Sequence, residues 1–366
     1  MNSYTGKYLV DALGSTYSIQ QFNKTVKTST FKRVIGIDLN LAIEDARRAD
    51  LLFGELASFI QGLRDSQQYY YGYRLWMILL KEIQSSSPDQ YLCVHKGTAF
   101  YFAANNAFLD SRPMQGYELM DYALQEDLTN FKTFDTPAGW AISLDEAFQG
   151  NDDGWQHQVS NLFQHLILPN FSKKKYVLKS KNVKNLTKIV KRYFLKQGAI
   201  YISRRSALYS LFAIMMQNFP ESLDFIYIGP KENQSQVYIK HNLSFLCLSA
   251  ETLLRFSPRL RRKINMNPSW SMYNYINAIS SVNRSFSNTT FEQSVQKFQS
   301  LINNKTELID KFIETDSLSS TFALLKVMRN DSNHSFTQSI IDKKSYGVII
   351  EELIYINLWI IFYLYN

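Results

Sequence analysis

Fourteen glycines and eight prolines in 366 residues leave this chain few places to turn sharply. Glycine supplies the positive-φ conformations of tight turns and proline interrupts regular structure. A chain short of both favours long helices over a sheet with many hairpins. Hydrophobic residues at 45% and charged residues at 20% provide enough apolar surface for a core, so global disorder is not expected. The length suits two modest domains or one large one. The expectation is a mainly α, multi-helix protein.

Periodicity agrees. Leu51, Leu52, Leu56, Phe59, Ile60 and Leu63 recur at three-four spacing and form an amphipathic stripe. Tyr73 to Ile83 reads as a second, more buried helix, stopped by Ser85-Ser86-Ser87-Pro88. Between Gly97 and Leu124, small residues at Ala103, Ala104, Gly116 and Ala123 let two antiparallel helices approach closely, with Ser111-Arg112-Pro113 as the turn. This pattern resembles one tetratricopeptide hairpin. Leu128 replaces the usual proline after the second helix, and no second copy follows at the period of about 34 residues. The plain alternative is a generic helical hairpin packed in a core. Gln156 to Leu168 reads as a further helix. Ile226-Tyr227-Ile228-Gly229 and Val237-Tyr238-Ile239-Lys240 alternate on either side of a polar loop, the pattern of one small β-hairpin. Four or five helices with Asn- and Ser-rich connections are expected from Ser249 onward. The organisation expected is an N-terminal helical region over 1–170, a basic connector over 171–200 and a C-terminal helical bundle over 201–366.

The two cysteines, Cys93 and Cys247, are far apart and build neither a disulfide framework nor a Cys-based zinc site, which suits a reducing cytoplasm. Met1 to Lys7 lacks the apolar run of a signal peptide. Val348 to Tyr365 is very apolar, but Glu351 and Glu352 interrupt it. The uninterrupted remainder from Leu353 is about 13 residues against the roughly 20 of a spanning helix. A buried helix, no membrane partner and a cytoplasmic location are expected.

Net charge is +8, which favours polyanionic partners. Its distribution matters more than the total. Lys173 to Lys196 holds ten Lys or Arg residues and no acid. Leu253 to Phe291 holds Arg255, Arg259, Arg261, Arg262, Lys263 and Arg284, again without an acid. Such one-signed stretches can track a phosphate backbone, or can simply be solvated helix faces. Candidate RNA contacts are Lys173, Lys174, Lys175, Arg259, Arg261, Arg262 and Lys263. Trp270, Tyr273 and Tyr275 follow as candidate flat faces for bases.

Several chemistries have no motif here. There is no phosphate-cradling Gly-rich loop, no nucleophile elbow, no His-Glu-x-x-His and no EF-hand loop. His157 and His165 lack an acidic or Cys partner at metal-ligand spacing, and Cys93-Val94-His95 places its two groups too close in sequence to face each other. No metal or other cofactor is expected. One constellation remains. An apolar helix from Ser319 to Met328 leads into Arg329-Asn330-Asp331-Ser332-Asn333-His334, and a long apolar helix closes the chain after Tyr346.

That constellation resembles the HEPN superfamily. Its signature is an Arg, four to six residues, then a His, often with a polar residue such as Asn directly after the Arg. The resemblance implies a C-terminal helical bundle that cleaves RNA, with Arg329, Asn330 and His334 as its catalytic residues. It also implies a homodimer, because the family's activity typically arises where two copies of the signature face one cleft. In one toxin subgroup a Tyr two residues after the His accepts a nucleotide; here that position is Phe336, which removes the acceptor.

The chemistry suits these residue types. RNA is cut without a metal when its 2′-hydroxyl attacks the adjacent phosphate, which requires proton transfer and neutralisation of a crowded phosphorane. Histidine titrates near neutral pH, and arginine offers a permanently charged fork for phosphate oxygens. Asn330 would orient the phosphate or His334, and Asp331, Ser332 or Asn333 would cap the following helix. Family analogy extends the reading to a toxin, an antiviral defence effector or an RNA-processing factor, with a protein partner for the N-terminal region. Two rivals stand beside it. One is a helical dimerisation scaffold in which the Arg-Asn-His turn caps helices and pairs with Glu351 or Glu352. The other is a basic nucleic-acid-binding protein without catalysis.

Overall fold

The computed structural model describes residues 69–86, 88, 92, 96–110, 112–130, 186–218, 236–265, 269–303, 317–334 and 343–366. Among them the secondary structure is helical throughout, with no strand. The stripe over 51–63, the helix expected over 156–168 and Ile226 to Gly229 lie outside the described residues. The chain divides into two compact units, Met1–Asp145 and Glu146–Asn366. This division and the boundary expected near residue 170 both fall within 131–185, which is also outside the described residues.

In the first unit, α1 (Tyr69–Ser86), α2 (Gly97–Leu109) and α3 (Pro113–Asn130) pack in sequence order. Pro113 opens α3, where its missing N–H costs nothing. The small residues act as the sequence suggests. Ala99, Ala103, Ala104 and Ala107 of α2 and Ala123 of α3 are fully buried, so the two helix backbones approach closely. A Cβ on Gly116 would meet the Phe108 ring at 2.7 Å, so only glycine fits there. Phe108 packs edge-on against Tyr117, and Trp76 of α1 stacks on Phe102 of α2. At the far end of the hairpin, Lys96 Nζ pairs with Glu126 Oε1 at 2.6 Å, both side chains buried. The same carboxylate accepts the Lys96 backbone N–H, which places an anion at the start of α2.

The second unit comprises α4 (Leu186–Tyr193), α5 (Ala199–Asn218), α6 (Gln236–Arg255), α7 (Pro258–Lys263), α8 (Met272–Asn277), α9 (Asn288–Asn303), α10 (Leu318–His334) and α11 (Lys343–Trp359). A π-helical turn, Ile360–Leu364, continues α11. Helix α6 is the hub and packs on α5, α8, α10 and α11. Leu246, Cys247, Ala250, Leu253 and Leu254 are its fully buried contributions to the core. Phe322, Ala323, Leu324 and Leu325 of α10 and Leu353, Tyr355, Ile356 and Leu358 of α11 are fully buried too, and both helices pack on α6.

Two expectations change here. Val237 to Lys240 forms the opening of α6, not the second arm of a hairpin. The alternation was only four residues long, and Ile239, Leu243, Leu246, Cys247 and Ala250 continue it at helical spacing onto a buried face. The apolar C-terminal stretch is also longer than the uninterrupted run implied. Gly347–Leu364 is long and apolar enough to cross a membrane, and 72% of it is buried inside the fold. Burial, more than length, identifies it as a core helix. Asn357 inside it is fully buried and donates from Nδ2 to the carbonyls of Leu246 and Leu353, tying α11 to α6.

Candidate active site at the end of α6

Arg329 and Asn330 are half-buried residues in the last turns of α10, and His334 is the final residue of that helix. The side chains from Asp331 to His334 lie outside the described residues. Because α10 runs unbroken to His334, Asp331, Ser332 and Asn333 are helical positions. None of them caps α11, which begins at Lys343. On one continuous helix, five residues separate Arg329 from His334 by about 7.5 Å along the axis and about 140° around it.

Arg329 is paired with a residue the sequence did not single out. Arg329 Nε donates to Glu251 Oε2 at 2.9 Å, with the two side chains 21% and 16% exposed. Glu251 also pairs with Arg255, one helical turn further along α6, at 3.3 Å. One carboxylate therefore stands between two guanidinium groups. The carboxylates weighed from sequence lie elsewhere: Glu351 is exposed on α11, and Glu352 accepts a hydrogen bond from Thr321 Oγ1 at 3.4 Å. The i,i+4 spacing of Glu251 and Arg255 was visible in sequence; the reach to Arg329 was not.

One turn before Glu251 on the same helix, Cys247 is fully buried, with Sγ 3.9 Å from the Leu325 carbonyl oxygen. Burial pushes its thiol up to about 12; Arg329 opposes that shift and Glu251 adds to it. Such a thiol stays protonated and is no nucleophile at neutral pH. Cys93, His95, His157 and His165 lie outside the described residues, and no metal-holding cluster of His, Cys, Asp or Glu occurs among those described.

The candidate RNA contacts divide. Lys173, Lys174 and Lys175 lie outside the described residues. Arg261, Arg262 and Lys263 form the exposed last turn of α7. Arg259 is an anchor: its Nη1 donates to the Tyr363 carbonyl at 3.2 Å and its guanidinium lies 4.3 Å from the Tyr363 ring centroid. The aromatic faces expected beside them are largely used. Tyr275 is 1% exposed, Trp270 packs near it, and the Tyr273 hydroxyl bonds to Glu292. Of the three rings only Tyr275 turns fully inward; Trp270 and Tyr273 are half-buried.

Two more arginines went unnoticed in sequence. Arg204 and Arg205 of α5 are 6% and 1% exposed. Arg204 donates to the carbonyls of Tyr193 and Phe256, which close α4 and α6. Arg205 donates to those of Phe194 and Lys196. Helix C-termini carry partial negative charge and orphan carbonyls, which explains how two cations are held inside. No family model, no curated protein and no solved structure matches this chain.

Proposed function

We propose that this protein is a metal-independent endoribonuclease that cleaves RNA by attack of a 2′-hydroxyl on the adjacent phosphate. The observation that carries the reading is the Glu251–Arg329 pair. It fixes a guanidinium in a partly exposed position five residues ahead of His334. An arginine whose Nε is fixed by a carboxylate is already oriented when the substrate arrives, so less freedom is lost on binding phosphate. The second cation, Arg255, shares the charge of Glu251 with Arg329.

In this mechanism Arg329 stabilises the charge that builds on the phosphorane oxygens. A general base takes the 2′-hydroxyl proton, the 2′-oxygen bonds to phosphorus and the 5′-oxygen leaves with a proton. The products are a 2′,3′-cyclic phosphate and a 5′-hydroxyl. His334 is assigned to proton transfer and Asn330 to orienting the phosphate. The 140° offset between Arg329 and His334 along one helix is accommodated by a homodimer, in which each catalytic cleft draws on two copies. A role as a toxin or defence effector is an extension of the same reading.

A second reading has its own support: the Glu251–Arg329 pair joins two core helices and serves a scaffold equally well. Purified protein is incubated with labelled single-stranded RNA in EDTA, beside Arg329→Ala, Glu251→Gln and His334→Ala. The nuclease reading expects cleavage by the wild type, lost in Arg329→Ala and His334→Ala while both variants stay folded, Arg329→Ala with its unfolding midpoint lowered by no more than a few degrees. Absence of cleavage, with unfolding of Arg329→Ala, returns the pair to a structural clamp.

A further inference from the structure

The two acid-free stretches that lie far apart in sequence meet at one end of the second unit. Exposed Arg192 lies in the last turn of α4, and exposed Lys196 in the turn that follows it. Arg192 lies 5.2 Å from the Tyr193 ring centroid, and Tyr193 packs edge-on against Tyr365 at 5.8 Å. Against the same π-helical turn, Ser257 Oγ donates to the Leu364 carbonyl and Arg259 to that of Tyr363, which fastens α7 there. The charge of Arg261 on α7 acts on the Tyr365 hydroxyl, so that guanidinium too is near Tyr365. Tyr365 is thus flanked by cations from both stretches, with Arg204 against its ring at 5.3 Å.

These cations divide by role. Arg204, Arg205 and Arg259 spend their donors on main-chain carbonyls and hold the end together. Arg192, Lys196, Arg261, Arg262 and Lys263 are exposed, and none forms an ion pair with a carboxylate among the described residues. Helix α6 leads from this end to the candidate active site. Arg204 grips the carbonyl of Phe256, and Glu251 lies five residues earlier, about 7.5 Å along the axis.

We propose that this end of the unit is one binding surface for the backbone of single-stranded RNA. Arg192 and Lys196 of one stretch contact its phosphates, as do Arg261, Arg262 and Lys263 of the other. The choice of RNA among polyanions rests on the nuclease reading; the convergence of the cations does not. Five exposed cations without partnered acids attract a chain of phosphates, and release of its counterions makes the binding salt-dependent.

Fluorescence anisotropy of a labelled 20-nucleotide single-stranded RNA with 2′-O-methyl groups, which has no 2′-hydroxyl to attack, in EDTA and over a range of KCl, tests this on the full chain. Arg192→Glu/Arg261→Glu is compared with Lys81→Glu/Lys297→Glu, which changes net charge equally at exposed positions outside the two acid-free stretches. The expected result is binding weakened about tenfold or more in the first variant, with the salt slope reduced by about 1.4. The control is expected to bind within twofold of wild type. Equal weakening in both variants, or no binding by the wild type, overturns the proposal. Equal or tighter binding of duplex RNA or anionic lipid vesicles overturns the assignment to single-stranded RNA. Arg329→Ala separates the two claims: it is expected to bind RNA at this end even where cleavage is absent. Failure of the nuclease reading therefore leaves a different result from failure of this one.

Discussion

Arg329 and Glu251 stand 78 residues apart in the chain and are joined by a 2.9 Å charge-assisted hydrogen bond between two core helices. With both side chains mostly shielded, the pair contributes more than a surface ion pair and less than a fully buried one. A double-mutant cycle with Arg329→Met and Glu251→Met is expected to give a coupling of about 1–2 kcal/mol in urea unfolding. A coupling near zero would mean that the contact orients Arg329 without stabilising the fold.

The nuclease reading needs the fork of Arg329 as well as its charge. Arg329→Lys is expected to keep the midpoint of thermal unfolding within a few degrees and to lose about a hundredfold in RNA cleavage. Full activity in the lysine variant would show that any cation suffices there.

Gly116 tests the packing of the first unit. An alanine at this position drives its Cβ into the Phe108 ring, which is itself held by Tyr117. Gly116→Ala is expected to cost about 1–3 kcal/mol by chemical denaturation. The loss should be partly relieved by the additional change Phe108→Leu.

Cys247 gives a pH signature. Burial raises its thiol from 9.0 to about 12 in the folded chain, so between those values the folded state holds a proton that the unfolded state releases. Stability from this group is fully present below pH 9 and is lost as pH rises toward about 12. Urea midpoints of wild type and Cys247→Ala, followed upward from pH 8, should show the steeper decline in the wild type. Parallel declines would place the thiol in a wetter site than the structure gives it.

Arg204 closes two helices with one side chain. Arg204→Met leaves the carbonyls of Tyr193 and Phe256 without that donor and is expected to cost about 2 kcal/mol or more. Arg204→Lys should not restore the loss, because an ammonium cannot span both carbonyls as the fork does. Thermal unfolding of the two variants is the check.

Much of the fold was legible because helical periodicity is a local signal. Tyr73 to Ile83 and the hairpin through Pro113 were readable from apolar spacing and from small residues that the packing then required. Val237 to Lys240 misled because a four-residue alternation fits a strand and the first turn of a buried helix equally well. The site was half legible. Arg329 carries a recognisable pattern, but its partner Glu251 is fixed by how α6 packs on α10, which no spacing in the chain encodes. Arg204 and Arg205 went unnoticed because their acceptors are main-chain carbonyls, which have no sequence signature. Tyr275 was taken for an exposed face for the opposite reason: a large ring beside arginines looks alike whether it turns outward or into the core.

The most direct measurement is the chemical identity of the ends produced from a defined single-stranded RNA in EDTA. Wild-type protein is expected to yield 2′,3′-cyclic phosphate and 5′-hydroxyl ends, detected by mass spectrometry, and Arg329→Ala is expected to yield neither. Intact RNA with the folded wild-type protein, or equal cleavage by folded Arg329→Ala, would contradict the account.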